Sequence, residues 1–281
     1  MQPIVAVIAP GMMGSGVGGR LAQNGIEVRT ALDGRSESSV KRARAAGMVG
    51  ASDAQIAASD FILSIVPPGE ALALAEKLAP ALRAAAKKPI YVDCNAVNPA
   101  TVLRIARTIE ETGTTFVDGG IIGGPPSPGS KGTKLYLSGP AAARVVELEQ
   151  YGLEPRVQAG PIGAASAMKM SYAGITKGFT ALGAAMMLAA TRAGTADALR
   201  AELSASQPAL HGWLTRAMPK MYSKAYRWVA EMEEISGFVG EDPAAAEFFQ
   251  AAARLYERIA ADEAGKRAEC TALDTFCEPD K

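Results

Sequence analysis

Ile4-Val5-Ala6-Val7-Ile8-Ala9-Pro10-Gly11-Met12-Met13-Gly14 is the stretch that decides the fold of this 281-residue chain. Ile4 to Ala9 is a short, continuous apolar run, the pattern of a strand covered on both faces. The glycines that follow keep a turn tight and let the backbone come close to an anion. A helical stretch from about Ser15 to Asn24 then presents free N–H groups and a positive dipole end. Gly11, Met12, Met13 and Gly14 therefore read as a seat for the pyrophosphate of a dinucleotide. The usual fingerprint has glycine at position 9, where this chain has alanine. An ordinary tight loop, or the adenosyl-binding loop of a methyltransferase, uses similar residues.

Strands and helices alternate outward from this turn. Further strands fit Ile26 to Leu32, Phe61 to Val66, Ile90 to Asp93, Thr115 to Val117 and Lys134 to Leu137. Helices fit about Ser38 to Ala46, Gly69 to Ala86 and Asn98 to Thr112. This order predicts an α/β, Rossmann-type domain over residues 1–160, its parallel sheet built from right-handed crossovers. Beyond Gly160 the texture changes. Ala164 to Ala193 holds no proline and no clear strand, and further helical segments fit Ala196–Ser206, Ala209–Met218, Ala225–Phe238 and Pro243–Arg267. Residues 161–281 are thus predicted to form an all-α domain led by a long helix, with the boundary near Gly160–Gly163.

Composition narrows the function. Hydrophobic residues make up 48% and charged residues 21%, which excludes a disordered chain. Lys and Arg total 29, as do Asp and Glu, so nothing in the net charge recommends nucleic acid or an anionic membrane as partner. Cys94, Cys270 and Cys277 are too scattered for a disulfide framework or a zinc site, which points to reduced thiols in the cytoplasm and no metal. The N-terminus lacks the features of a signal peptide. The longest apolar run, Gly178–Ala190, has 13 residues, short of the ~20 a spanning helix needs.

The choice of cofactor is read in Leu32-Asp33-Gly34-Arg35-Ser36. An acidic side chain here accepts hydrogen bonds from the ribose of NAD, whereas a guanidinium beside a hydroxyl holds the 2′-phosphate of NADP. Asp33, Arg35 and Ser36 offer both, and Arg35-Ser36, backed by Lys41 and Arg42, favours NADP with NAD left open. A solvated loop before a charged helix face has the same composition.

The order of motifs resembles the β-hydroxyacid dehydrogenases, which include 3-hydroxyisobutyrate and 6-phosphogluconate dehydrogenases. The matching elements are Pro10-Gly11-Met12-Met13-Gly14, Ser64-Ile65-Val66-Pro67-Pro68, Asp93-Cys94-Asn95-Ala96-Val97-Asn98-Pro99, Val117-Asp118-Gly119-Gly120-Ile121-Ile122-Gly123-Gly124 and Gly160-Pro161-Ile162-Gly163. The segment from His211 through Tyr226 to Ile235 is similar to a helical C-terminal domain of poorly characterised members. The resemblance implies Val66 and Pro67 against the cofactor, Asn95 near its nicotinamide, and a substrate loop at Ile122, Gly123 and Gly124. It also implies a homodimer formed through the helical domain, for which Gly178–Ala190 is a candidate surface.

The catalytic lysine of the family maps to Lys169. As general base it removes the hydroxyl proton while hydride passes to nicotinamide. A lysine is a poor base at its ordinary pKa of ~10.4, and desolvation and the positive ring would both lower that value. A lysine whose stem packs while its ammonium reaches water is the plain alternative. Two departures bear on the substrate: the family asparagine four residues on is Ala173, and the loop serine is Ile122. Both make the pocket more apolar. Tyr172 is a candidate for the lost hydrogen bond, and Arg227 is a rough counterpart of a family lysine, although Arg227 and Glu231 also read as a surface ion pair. His211 and Cys94 read as structural. The sequence thus predicts an NAD(P)-dependent oxidoreductase acting on a hydroxyl or carbonyl substrate. An imine reductase, or a cofactor-sensing protein without turnover, is the alternative.

Overall fold

The computed structural model describes residues 2–127, 129–130 and 132–278. The chain divides into two compact units, Met1–Met170 and Ser171–Lys281. The cut falls ten residues beyond the boundary read from sequence, so the first unit keeps the opening turns of the long helix.

In the first unit, β1 (Ile4–Ile8), β2 (Glu27–Thr30), β3 (Val49–Gly50), β4 (Phe61–Ser64), β5 (Ile90–Asp93), β6 (Thr115–Ile122), β7 (Lys134–Ser138) and β8 (Pro155–Val157) form one sheet. Its order is β3-β2-β1-β4-β5-β6-β7-β8. The helices are α1 (Met12–Gln23), α2 (Glu37–Ala45), α3 (Asp53–Ala57), α4 (Ala71–Ala84), α5 (Pro99–Glu110) and the start of α6 (Ala164–Arg192). The first six strands run parallel in the dinucleotide-binding order, and the chain reverses direction across the sheet between β1 and β4.

The sheet is mixed rather than wholly parallel, because β7 runs antiparallel to β6. Residues 123–133 join the two, a link of 11 residues with no helix among its described residues, and a connection so short suits an antiparallel pair. β3, α3 and β8 carry no sequence expectation, being too short to show a period. β6 runs to Ile122, beyond the predicted Val117, because Asp118-Gly119-Gly120 interrupts its apolar run without breaking its pairing.

Alternation along the strands sends Val5, Val7, Leu63 and Val92 into a core with Val17 and Leu21 of α1. Ala6, Ile8, Ile62 and Tyr91 face the opposite core, with Leu78 of α4 and Ile105 of α5. The helix starts are capped. The Ser36 hydroxyl accepts the Ser39 N–H, Ser52 and Gln55 form a capping box, and Asn98 accepts the Thr101 N–H ahead of Pro99.

The second unit holds the remainder of α6 with α7 (Ala196–Ser206), α8 (Pro208–Met221), α9 (Ala225–Phe238), α10 (Pro243–Ala264) and α11 (Ala268–Cys277). Sequence reading merged the end of α10 into one helix reaching Arg267. The break is set by Arg267, whose φ is 55°, and by Asp262, whose carboxylate accepts the N–H groups of Ala268 and Cys270. Gly174 and Gly178 let α6 approach α10, since a Cβ on either would lie 3.2 Å from the Phe249 ring. Lys177 ion-pairs with Glu231 and sits 5.2 Å from the Trp228 ring, while the Tyr256 hydroxyl donates to the Lys177 carbonyl at 2.5 Å. Glu231 is therefore spent on α6, and the Arg227–Glu231 pair read from sequence is not made. α6 is long and apolar enough to cross a membrane by length and composition, and 44% of its apolar window is buried inside the protein.

Gly14 gives the sharpest packing constraint: a Cβ there would stand 1.9 Å from the Ala9 carbonyl oxygen. Gly14→Ala is expected to cost about 3 kcal/mol by forcing α1 away from β1. Urea denaturation measures this, and an unchanged midpoint would contradict it.

Candidate active site

The candidate site of the first unit lies at the carboxyl ends of β1, β4, β5 and β6. At the end of β1 the Gly11 N–H donates to the Ala9 carbonyl at 2.9 Å, so the turn closes with alanine in the first fingerprint position. Gly11 precedes α1, and a Cβ on it would meet nothing within 4 Å, leaving its outer side open to a ligand. Gly14 fulfils the other need of the motif, close helix–strand contact. Met12 is exposed and Met13 half-buried. The turn and helix end thus fit a pyrophosphate. Arg42 Nε donates to the Pro10 carbonyl at 3.2 Å, so one of the cations that favoured NADP braces this loop.

Asp33 and Gly34 form the exposed tip of a turn closed by the Arg35 N–H on the Leu32 carbonyl. Ser36 caps α2. Arg35, Lys41 and Arg44 line a hollow with Glu37 and Val40. Three cations against one carboxylate make that hollow suited to an anion.

Val66 is buried and Pro67 exposed. The Val66 N–H donates to Asn95 Oδ1 at 2.7 Å, and Asn95 Nδ2 donates to Ser64 Oγ and Asp93 Oδ2, each at 2.9 Å. Both amide protons are committed inside the protein. Asn95, expected from the family resemblance near the nicotinamide, braces the ends of β4 and β5 through these bonds.

Lys169 is placed by the first turn of α6. Asp118 Oδ2 accepts the N–H groups of Gly163 at 2.9 Å and Ser166 at 3.1 Å, with the Ser138 hydroxyl at 2.9 Å; Oδ1 accepts the Ser166 hydroxyl at 2.6 Å. The Ala165 N–H donates to Ser138 Oγ at 3.0 Å and the Ala164 N–H to the Pro161 carbonyl at 3.1 Å. Every N–H that a helix start leaves unpaired is thereby satisfied. Gly120 completes the docking, since a Cβ there would lie 3.0 Å from the Ala165 carbonyl and 3.2 Å from Lys169 Cβ. Lys169 is half-buried beside β6, its ammonium within electrostatic reach of Asp93 and Cys94.

Asp93 is fully buried, a register partner of Asp118 on the neighbouring strand. Burial pushes its carboxyl up to about 7; hydrogen bonds from Asn95 and the charge of Lys169 oppose this, and Asp118 adds to it. Burial likewise raises the Cys94 thiol, which therefore stays protonated and unreactive, as a core residue should.

Ile122 ends β6 half-buried. Gly123 has φ 122°, and a Cβ on it would lie 2.6 Å from the Gly132 carbonyl; Gly124 is open. The Gly124 carbonyl accepts the Thr133 hydroxyl at 2.6 Å. The Arg20 guanidinium donates to the Ser127 carbonyl at 2.7 Å and the Ser130 carbonyl at 2.9 Å, which ties this loop to α1. In the second unit Tyr172 is exposed, and exposed Arg227 lies 5.8 Å from the Tyr226 ring. Among the described residues no cluster of three metal-ligating side chains occurs. Asp93, Asp118 and Arg20 were given no role from sequence. The available signal was a carboxylate ending each of two apolar strand runs.

Residues 4–149 match the NAD binding domain of 6-phosphogluconate dehydrogenase, and residues 190–259 match a domain of unknown function, DUF1932. An uncharacterized 28.5 kDa protein of Methanothermus fervidus is 33% identical over 176 residues, which are 62% of this chain and 66% of that protein. A conserved protein of unknown function, MTH1747, structurally similar to 3-hydroxyacid dehydrogenases, shares 30% identity at TM-score 0.67 over 90% of this chain and 98% of its own. The 3-hydroxyisobutyrate dehydrogenase of Mycobacterium tuberculosis shares the fold at TM-score 0.75 and 18% identity, covering 98% and 99% of the two chains. An imine reductase of Myxococcus stipitatus in complex with NAD+ shares it at TM-score 0.54 and 20% identity, covering 99% and 100%.

The carboxyl of Asp93 binds a proton in the folded state up to about pH 7, but in the unfolded chain only up to its ordinary 3.8. Folding therefore takes up a proton between these values, and the contribution of Asp93 to stability falls as pH rises from about 4 to about 7. Asp93→Asn removes this titration. Urea unfolding across that range should show the wild type losing ground to the variant as pH rises, then a constant difference above pH 7. A constant difference throughout would mean that Asp93 stays ionised.

The dinucleotide turn, the strand order, the carboxylate-anchored helix and the matched segments agree: the chain belongs to the β-hydroxyacid dehydrogenase family, with an NAD-binding domain of the 6-phosphogluconate dehydrogenase type followed by a helical C-terminal region.

Proposed function

We propose that the protein is an NAD(P)-dependent oxidoreductase that interconverts a hydroxyl and a carbonyl on a small β-hydroxyacid-like substrate, with Lys169 as general acid and base. The observation that carries this reading is the docking of α6 on Asp118, which fixes Lys169 beside Gly120 at the carboxyl end of β6. Nicotinamide dinucleotide, when bound, supplies the hydride acceptor or donor. The N–H groups at the start of α1 and the open side of Gly11 hold its pyrophosphate. The cationic hollow of Arg35, Lys41 and Arg44 favours a 2′-phosphate, hence NADP, while Asp33 leaves NAD a ribose partner. Gly123 and Gly124 let the backbone approach a substrate carboxylate. In oxidation the neutral amine of Lys169 takes the hydroxyl proton; in reduction its ammonium returns it.

Imine reduction is the second reading, supported by the shared fold of the imine reductases. Turnover of hydroxyacids, aldehydes and cyclic imines with NAD(H) and NADP(H) separates the two, and no turnover of any of them would leave a cofactor-sensing role. Lys169→Ala is expected to lower kcat by about 10²–10⁴-fold with cofactor affinity nearly unchanged. Full activity of that variant refutes the assignment.

We also propose a homodimer. Tyr172, Ile175, Phe179, Leu182 and Met186 are all exposed on α6, Ile175 to 74%. Their spacing of three, four, three and four residues is that of an a/d seam, which a second copy of the same helix complements. Leu182→Glu should convert a dimer to a monomer in sedimentation analysis. A wild-type monomer, or a variant that remains dimeric, rejects this surface.

A further inference from the structure

Asp93 and Asp118 occupy register-paired positions on β5 and β6, both fully buried, yet their surroundings differ. Asp118 is neutralised by the start of α6 and two serine hydroxyls. Asp93 accepts from its near neighbour Asn95, through the backbone N–H at 3.1 Å and Nδ2 at 2.9 Å. The other groups facing it are Tyr91 and Cys94 of its own strand region, Asp118 of β6 and Lys169 of α6. Tyr91 and Cys94 are fully buried and held neutral by that burial. Gly120 lies two residues beyond Asp118 on the same face of β6, and a Cβ there would stand 3.2 Å from Lys169 Cβ, so α6 brings Lys169 over the face that carries Asp118 and its register partner Asp93.

We propose that Asp93 acts through Lys169, its carboxylate setting the pH at which the Lys169 amine releases its proton. Asp93 touches no reacting atom and is a positioning residue for charge. When Lys169 takes a proton from the substrate, the new ammonium forms beside Asp93, and the attraction between them offsets part of the cost of holding a cation in a partly dry site. When the proton leaves, the lone carboxylate is the costlier ion and gains affinity for a proton of its own, so the pair titrates as a unit. The catalytic consequence rests on the function proposed above; the coupling between the two side chains does not.

The test uses the whole chain and two readouts. First, the Asp93 carboxyl is titrated by difference infrared spectroscopy, its band assigned by its loss in Asp93→Asn. In Lys169→Met, removal of the cation should raise the Asp93 midpoint by about one pH unit, the low end of what a neighbouring opposite charge contributes. An unmoved midpoint overturns the proposal, whatever the enzyme does. Second, kcat/KM is followed against pH in Asp93→Asn. The amine should lose its proton about one unit lower in pH than in wild type, a change that a merely structural role would not produce. A profile reduced in height but unmoved in pH also overturns it. If Asp93→Asn fails to fold, the Lys169→Met titration, with its band followed by 13C labelling of the carboxyl, still decides. If no substrate turns over while the Asp93 midpoint moves, the dehydrogenase reading falls and this coupling stands.

Discussion

The structure of the site depends on one buried carboxylate. Asp118 accepts four hydrogen bonds, two from backbone N–H groups at the start of α6 and two from serine hydroxyls. Hydrogen bonds to a charged group contribute about 1.5–3 kcal/mol each, while taking a carboxylate out of water costs several kcal/mol. With one or two partners the burial would be unfavourable; with four, at the positive end of a 29-residue helix, it holds. The same bonds set the height and rotation of the first turns of α6 on the sheet. Lys169 stands one turn beyond Ala165, so its position follows from Asp118.

Glycine supplies the other half of that geometry. At Gly120 a side chain would collide with the Ala165 carbonyl, and at Gly14 with the Ala9 carbonyl. In both places a helix approaches a strand end more closely than any Cβ allows. The two close approaches bring the pyrophosphate turn and the lysine helix onto the carboxyl ends of β1 and β6, on either side of the crevice where such folds bind their ligands.

Much of the first unit was legible because its strands are short apolar runs and its helices begin on residues such as Asn98-Pro99. The direction of β7 was not legible, since apolar alternation is the same in either direction and only the shortness of the link between Ile122 and Lys134 betrays it. The split between α10 and α11 depends on Asp262 reaching across a tight turn to Ala268 and Cys270, a contact with no periodicity. Lys169 was singled out through family resemblance, but the pairing of Asp93 with Asp118 required the register of two strands some 25 positions apart in sequence. The exposed seam of α6 was hidden by composition. Alanine and methionine on every side of that helix obscure which face is covered.

Asn95 shows how the site divides its polar groups. A buried amide has two donors and a carbonyl oxygen with two lone pairs; here Ser64 and Asp93 take both donors and the Val66 N–H occupies one lone pair. Freeing a donor for a ligand would leave Ser64 or Asp93 short of a partner, at a cost of about 1–3 kcal/mol for an unsatisfied buried group. That cost exceeds what one hydrogen bond to a ligand usually returns, so the two amide donors stay with the strand ends they brace. Ile122 presents a hydrocarbon side chain at the end of β6. Gly124, two residues on, leaves its backbone open beside that hydrocarbon surface. An apolar wall of this kind discriminates weakly among apolar groups, because one methylene more or less changes binding by only ~1–3 kcal/mol.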